Sequence, residues 1–184
     1  RLKINRAGQC CSGRKALVCN ARQLHCGSCC RSRERRPGSR YSSVVVGVQH
    51  GGVVYVGADS QATSGGGDKY VRLNRKVFSS CGYIIGVVGS SRVTQILKAA
   101  NDLPQLPAYL KTADENEAES EGLISDMEDF FVSEFIPAVR NLCDDAGIQI
   151  SRSNDESTDS DNSDILVAIG PWMVVIEPDW QVGI

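Results

Sequence analysis

The chain has 184 residues, of which 41 % are apolar, and its 20 Lys/Arg against 22 Asp/Glu give a formal net charge of -2. That length suits one domain with a tail, and the apolar fraction supplies a core, which excludes a wholly disordered chain. No stretch reaches the roughly 18 apolar residues that cross a bilayer, and no apolar h-region follows the basic start. Neither a membrane span nor a secretory signal is predicted, and a cytosolic protein is expected.

The charge is unevenly divided. Residues 1–41 carry eleven Lys/Arg and one acid, Glu34, whereas residues 42–184 carry nine Lys/Arg and twenty-one acids. The near-neutral total is thus the sum of a basic part and an acidic part. Six of the eight cysteines fall in the basic part: Cys10, Cys11, Cys19, Cys26, Cys29 and Cys30. Residues 1–42 show neither period-2 nor period-3.6 apolar patterning, and are expected to be a leader that is disordered or removed. Two other readings stand beside this. Cys26-x-x-Cys29 next to His25, with the upstream thiols, could gather zinc ligands, although the second pair of a finger is missing. A basic arm of this kind could also touch nucleic acid. Cys81 and Cys143 sit in apolar or helical contexts, where reduced, packed thiols are expected.

The texture changes at Ser43. "SVVVGVQ" and "VVYVGAD" are dense in β-branched residues and are joined through "HGG", which predicts a β-hairpin. Both strands are apolar on both faces, so the sheet is expected to be covered on both sides. A polar loop ("SGGGDK"), a short strand over residues 76–79 and the apolar run "GYIIGVVG" follow. The turn Gly89-Ser90-Ser91 offers a hydroxyl N-cap to a helix, "SRVTQILKAAN", in which Val93, Ile96 and Leu97 share a face.

Pro104 and Pro107 lead through an acidic stretch into a second helix. Its apolar stripe is Ile124, Met127, Phe131, Phe135, Ala138 and Leu142, and Pro137 should bend it. "SRSNDESTDSDNSD" reads as a solvated loop. "DILVAIG", "PW" and "MVVIEPDWQVGI" form a closing hairpin that stops on apolar residues. The C-terminal part of the domain is therefore expected to be missing. Two hairpins around two helices predict a layered α+β fold for residues 43–184.

A hydroxyl heading a buried strand becomes a nucleophile if the chain begins there. The α-amine of the same residue, with a pKa of about 7.7–8.0, then accepts the hydroxyl's proton near neutral pH. Such a site also needs a cation, a carboxylate to hold it and backbone N–H donors for an oxyanion. Ser43, Asp59, Lys76 and Gly89 stand at strand starts, strand ends and a strand-to-helix turn. Singly, each has a structural explanation: a solvated hydroxyl, a turn residue, an edge charge that discourages strand pairing, and a steric necessity.

Their joint order resembles the proteasome-type N-terminal nucleophile hydrolases. These include proteasome β subunits, the peptidase subunit of the bacterial HslUV protease and small proteasome-like proteins of bacteria and phages. "SVVVGVQHGGVVYVGADSQATSG" matches the family pattern as far as Gly65, "RKVF" supplies its Lys-Val pair, and "GVVGSS" with "SRVTQILKAA" is similar to its glycine turn and first helix.

The resemblance implies a four-layer αββα sandwich that hydrolyses peptide bonds. By position, it makes Ser43 the nucleophile and its freed α-amine the general base. Lys76 becomes the cation that lowers the nucleophile's pKa, Asp59 the carboxylate orienting it, and the Gly89 N–H an oxyanion donor. Thr63 falls where members pair their backbone with substrate, and Val87 on a wall of the pocket for the side chain before the cut. No cofactor or metal is implied. The implied partners are an unfolded or peptide substrate, further copies in a ring and a separate unfoldase ATPase, with neither membrane nor nucleic acid among them.

The pattern departs from the family in carrying Ser43 where members carry Thr, and Ser42 where self-processing members carry Gly. The alternatives are a non-catalytic structural subunit, an inactive fragment, and a zinc- or nucleic-acid-binding protein acting through the leader.

Overall fold

The hairpin legible in the sequence is formed by strands β2 (Val44–His50) and β3 (Val53–Ala58), with His50 opposite Val53. Gly51 and Gly52 make the two-residue turn at φ 59° and 72°, the left-handed conformation that such hairpins require at both positions. The computed structural model describes residues 16–20, 44–63, 69–71, 75–113, 120–148 and 163–184. Most of the leader lies outside them, with Ser43, His25 and every leader cysteine but Cys19, as does most of both acidic stretches.

Within the leader, β1 (Ala16–Asn20) pairs antiparallel with β2, so the first sheet has the order β1-β2-β3. The predicted polar loop "SGGGDK" joins two short paired strands, β4 (Gln61–Thr63) and β5 (Lys69–Val71). Three residues each, in a polar and glycine-rich context, leave no period long enough to read.

The second main sheet has five antiparallel strands in the order β10-β9-β8-β7-β6. These are β6 (Val77–Ser80), β7 (Tyr83–Val88), β8 (Asp164–Ile169), β9 (Trp172–Ile176) and β10 (Val182–Gly183). The protein is thus an α+β fold with two antiparallel sheets packed face to face and helices on the far side of the larger one. Side-chain alternation decides which residue serves which interface. Val88 and Leu166 meet Val45 of the first sheet, with Val56, Val77 and Val175 around them. Tyr83, Ile85, Val87, Ile165 and Val167 enter the larger core shared with the helices.

Those helices are α1 (Ser91–Ala99), α2 (Ala108–Lys111), α3 (Glu121–Phe130) and α4 (Ile136–Asp145). Ser90 caps α1, its side chain accepting from the Arg92 N–H, and Val93 and Leu97 are buried as their spacing predicts. Trp172 Nε1 donates to the buried Leu110 carbonyl at 2.7 Å and ties the closing hairpin to α2. No helix among the described residues is long and apolar enough to cross a membrane.

Between α3 and α4 the helix widens into a π turn, Phe131–Phe135, two residues before Pro137. Proline lacks the N–H of the regular ladder and its ring crowds the carbonyl one turn back, so a wider turn there relieves the clash. The extra residue rotates the helix that follows. The expected stripe holds through Met127, Phe131 and Phe135 but then passes to Val139 and Cys143, leaving Ala138 and Leu142 only partly buried. Tyr83 packs edge-on to Phe135, with ring centroids 5.1 Å apart, and so fixes this turn against the sheet.

One expectation is not met among the described residues. Val53 and Tyr55 on the outer face of the first sheet are 50 % and 59 % exposed, so among the described residues this sheet is covered on one side only. Apolarity on both faces of a strand states what the chain could bury, not what lies against it.

The two sheets approach closely because glycine stands at the crossing. A Cβ on Gly86 would lie 2.5 Å from Val45 Cγ1, and one on Gly47 would lie 2.6 Å from Met173 Sδ and 3.1 Å from Leu166 Cδ1. Gly57 has nothing within 4 Å. Gly86→Ala should therefore cost about 1–3 kcal/mol in urea unfolding, with Gly57→Ala near neutral. Equal effects at the two positions would show that the sheets do not meet as described.

Candidate active site

Asp59 is the first residue after β3, opposite the start of β2, and the strand end is closed by a reciprocal pair of bonds. The Asp59 N–H donates to the Val44 carbonyl at 3.1 Å, and the Val44 N–H donates to Asp59 Oδ1 at 3.0 Å. A short acidic side chain placed just past a strand commonly folds back to cap a neighbouring amide. The same oxygen accepts from Lys76 Nζ at 2.6 Å.

Lys76 precedes β6 and comes from the other main sheet. Its side chain is 7 % exposed and that of Asp59 34 %, so the ammonium is buried and the carboxylate faces solvent in part. A buried ammonium must find acceptors. Besides Asp59, Lys76 Nζ donates to the Gln61 carbonyl of β4. Burial pushes the Asp59 carboxyl up, but the Lys76 hydrogen bond, the Val44 amide and the lysine's charge together hold it below its ordinary value of 3.8.

Three further predicted residues, Val87, Gly89 and Thr63, lie along or just past the strands that lead from this junction. The Lys76 carbonyl accepts from the Val87 N–H at 3.0 Å, and Gly89 follows two residues later at φ 117°, about 7 Å further along. The Val87 side chain is 2 % exposed and packs in the core shared with the helices, so among the described residues it forms part of that core. Thr63 lies two residues beyond the Gln61 carbonyl, on β4 opposite Lys69. Ser43 lies outside the described residues, but its successor Val44 is held directly by the Asp59 carboxylate.

The arrangement is therefore a fixed positive charge, oriented by a carboxylate and delivered to the head of β2. Sequence reasoning found the ion pair but not the Gln61 carbonyl or the Val44 amide, because backbone groups leave no mark in residue identity. It also missed Ser163, which is 4 % exposed and whose Oγ accepts from the Ser90 N–H at 2.9 Å. A lone serine closing an acidic loop gives no signal.

Beside it, Asp164 begins β8. Burial first, and then the Glu177 carboxylate, push its pKa above the ordinary 3.8. Among the described residues no cluster of His, Cys, Asp or Glu could hold a metal ion.

The two aspartates should respond to pH in opposite senses. Asp59, with its lowered folded pKa, stabilises the fold above about pH 4, and that contribution disappears as pH falls through the folded value. Asp59→Asn should cost about 1–3 kcal/mol at pH 7, discounted for the partly exposed carboxylate, and nothing once both states are protonated. Asp164, with its raised pKa, favours the fold below its unfolded pKa, and that contribution is lost as pH rises through the folded value. Asp164→Asn should thus raise the melting temperature at pH 7 and leave it unchanged near pH 3. Thermal scans from pH 3 to pH 8 check both signs. No protein-family model, curated protein or solved structure matches the chain.

Proposed function

We propose that the chain is a proteasome-like peptidase subunit that hydrolyses peptide bonds with Ser43 as an N-terminal nucleophile. One observation carries this: a single carboxylate oxygen of Asp59 accepts both from Lys76 Nζ and from the amide of the residue that follows Ser43. A lysine used only to discourage strand pairing points its charge to solvent. This one is buried at the head of the strand where the resemblance puts the nucleophile.

The chemistry follows in balanced steps. In self-processing, Ser43 Oγ gives up its proton and attacks the carbonyl carbon of Ser42. The peptide becomes an ester as the nitrogen leaves protonated, and water hydrolyses the ester to release residues 1–42 and a free α-amine. In turnover that amine takes the hydroxyl proton as Oγ attacks the substrate carbonyl and returns it to the departing amine, and water, deprotonated by the same α-amine, then hydrolyses the resulting ester to release the acid product and restore the Ser43 hydroxyl. The Lys76 charge favours the oxygen anion electrostatically, and the N–H of Gly89 receives the carbonyl oxygen as it becomes an oxyanion.

Helices, a five-stranded sheet and a three-stranded sheet correspond to three of the four layers that this reading requires. The exposed Val53 and Tyr55 mark the face that a second helical layer would cover. In this reading the substrate is an extended or unfolded peptide, further copies form a ring around the sites, and a separate unfoldase ATPase supplies the substrate in the cytosol.

The pairing of β1 with β2 favours a second reading, a structural subunit that keeps its leader. Intact mass and N-terminal sequence of the purified protein separate the two. Catalysis predicts a chain starting at Ser43 in the wild type and an intact leader in Ser43→Ala, with Lys76→Ala slowed at least about 100-fold. Retention of residues 1–42 by every variant would refute the peptidase and leave the structural subunit.

A further inference from the structure

The glycine turn that offers the oxyanion donor is two residues long. β7 ends at Val88, paired with Asp164, and α1 begins at Ser91, so Gly89 and Ser90 alone carry the chain from sheet to helix. Gly89 adopts φ 117°, a region that residues with side chains rarely enter. Glycine reaches that region without strain, but it reaches others as readily, so the residue cannot fix its own conformation. Something outside the turn must do so.

Ser90 shows what does. Its side chain accepts from the Arg92 N–H, and its carbonyl accepts from the Thr94 N–H and from Thr94 Oγ1. All three are bonds to its own helix and would travel with it. Its N–H, in contrast, donates to Ser163 Oγ at 2.9 Å, across 73 positions of the sequence. Ser163 is 4 % exposed and directly precedes Asp164, the residue paired with Val88. The peptide before Gly89 is thus held by the sheet and the peptide after it by the Ser163 hydroxyl.

We infer that Ser163 is the positioning residue of the Gly89 turn: its buried hydroxyl fixes the peptide plane beyond Gly89 and, with the sheet holding the chain at Val88, locks the φ and ψ of Gly89, so that the Val88–Gly89 peptide carrying the Gly89 N–H is kept from turning. The role in catalysis rests on the peptidase reading, whereas the role in the turn does not. An oxyanion donor is effective because it is already in place when charge develops, and a displacement of about 1 Å can cost roughly 100-fold in rate. Ser163 itself touches neither nucleophile nor substrate in this scheme.

The test uses the full chain with Ser163→Ala and Ser163→Thr. Two readouts are taken: the rate of leader removal with kcat and KM on a fluorogenic peptide carrying an uncharged residue before the cut, and amide hydrogen exchange resolved by NMR. In Ser163→Ala, leader removal and kcat should fall about 100-fold with KM changed less than about 2-fold. The Ser90 amide should exchange at least about 10-fold faster while amides in the rest of α1 and in β7 keep their protection. Ser163→Thr, which keeps the hydroxyl, should restore both.

Unchanged Ser90 exchange in Ser163→Ala overturns the inference. So does faster exchange throughout the chain, which would make Ser163 a general stability residue. A wild type that neither processes nor hydrolyses refutes the peptidase reading alone, and the exchange result still decides whether Ser163 holds the turn.

Discussion

A lysine ammonium that is 7 % exposed has to be met by acceptors, and in this protein the acceptors come from several elements at once. Asp59 follows β3, Gln61 opens β4, and Lys76 itself leads into β6 of the other sheet. The Asp59 oxygen that takes the lysine also takes the amide of Val44 and so fixes the head of β2. Removing the carboxylate would leave a buried charge with less to hold it, a loss larger than any gain from the pair itself. One end of the sheet-on-sheet interface is therefore set by electrostatics. Its middle is set by sterics, where Gly47 and Gly86 let Val45, Leu166 and Met173 approach.

These constraints act on the same residues that the chemistry would use. A carboxylate–ammonium pair tying two sheets together is costly to desolvate and gives little net stability, which makes its retention easier to understand if the charge has a task. The junction also shows how a site at a strand head can be stiff. Val44 is held by main-chain pairing and by Asp59, Val87 by the Lys76 carbonyl, and Ser90 by Ser163. Positions fixed in this way need no rearrangement when charge appears.

What could be read from the sequence follows the range of the forces involved. The β2–β3 hairpin announces itself through valine density and two turn glycines, and α1 through a serine cap and its apolar spacing. The site pair, Asp59 and Lys76, was legible because their order along the chain could be compared with a family pattern. Three features were not legible. The π turn depends on how Pro137 is accommodated within a helix already packed on Tyr83, and it moved the buried stripe from Ala138 and Leu142 to Val139 and Cys143. The β4–β5 pair is too short to carry a period. The Gln61 carbonyl and the Ser163 hydroxyl act across chain separations of 15 and 73 residues, through groups that composition cannot distinguish from any other. The outer face of β2–β3 shows the converse error, since its valines and tyrosine predicted a cover that the described residues do not provide.

In the proposed peptidase, Asp59 and Lys76 act as one unit on the residue at the head of β2. The most direct measurement is a double-mutant cycle on the rate of leader removal, comparing Asp59→Asn, Lys76→Met and the double variant with the wild type. If the carboxylate works by orienting the ammonium, each single change should slow processing about 100-fold or more, and the double variant should be hardly slower than Lys76→Met alone. Losses that multiply as independent effects, or processing that proceeds at the wild-type rate without Lys76, would show that the two residues do not act together.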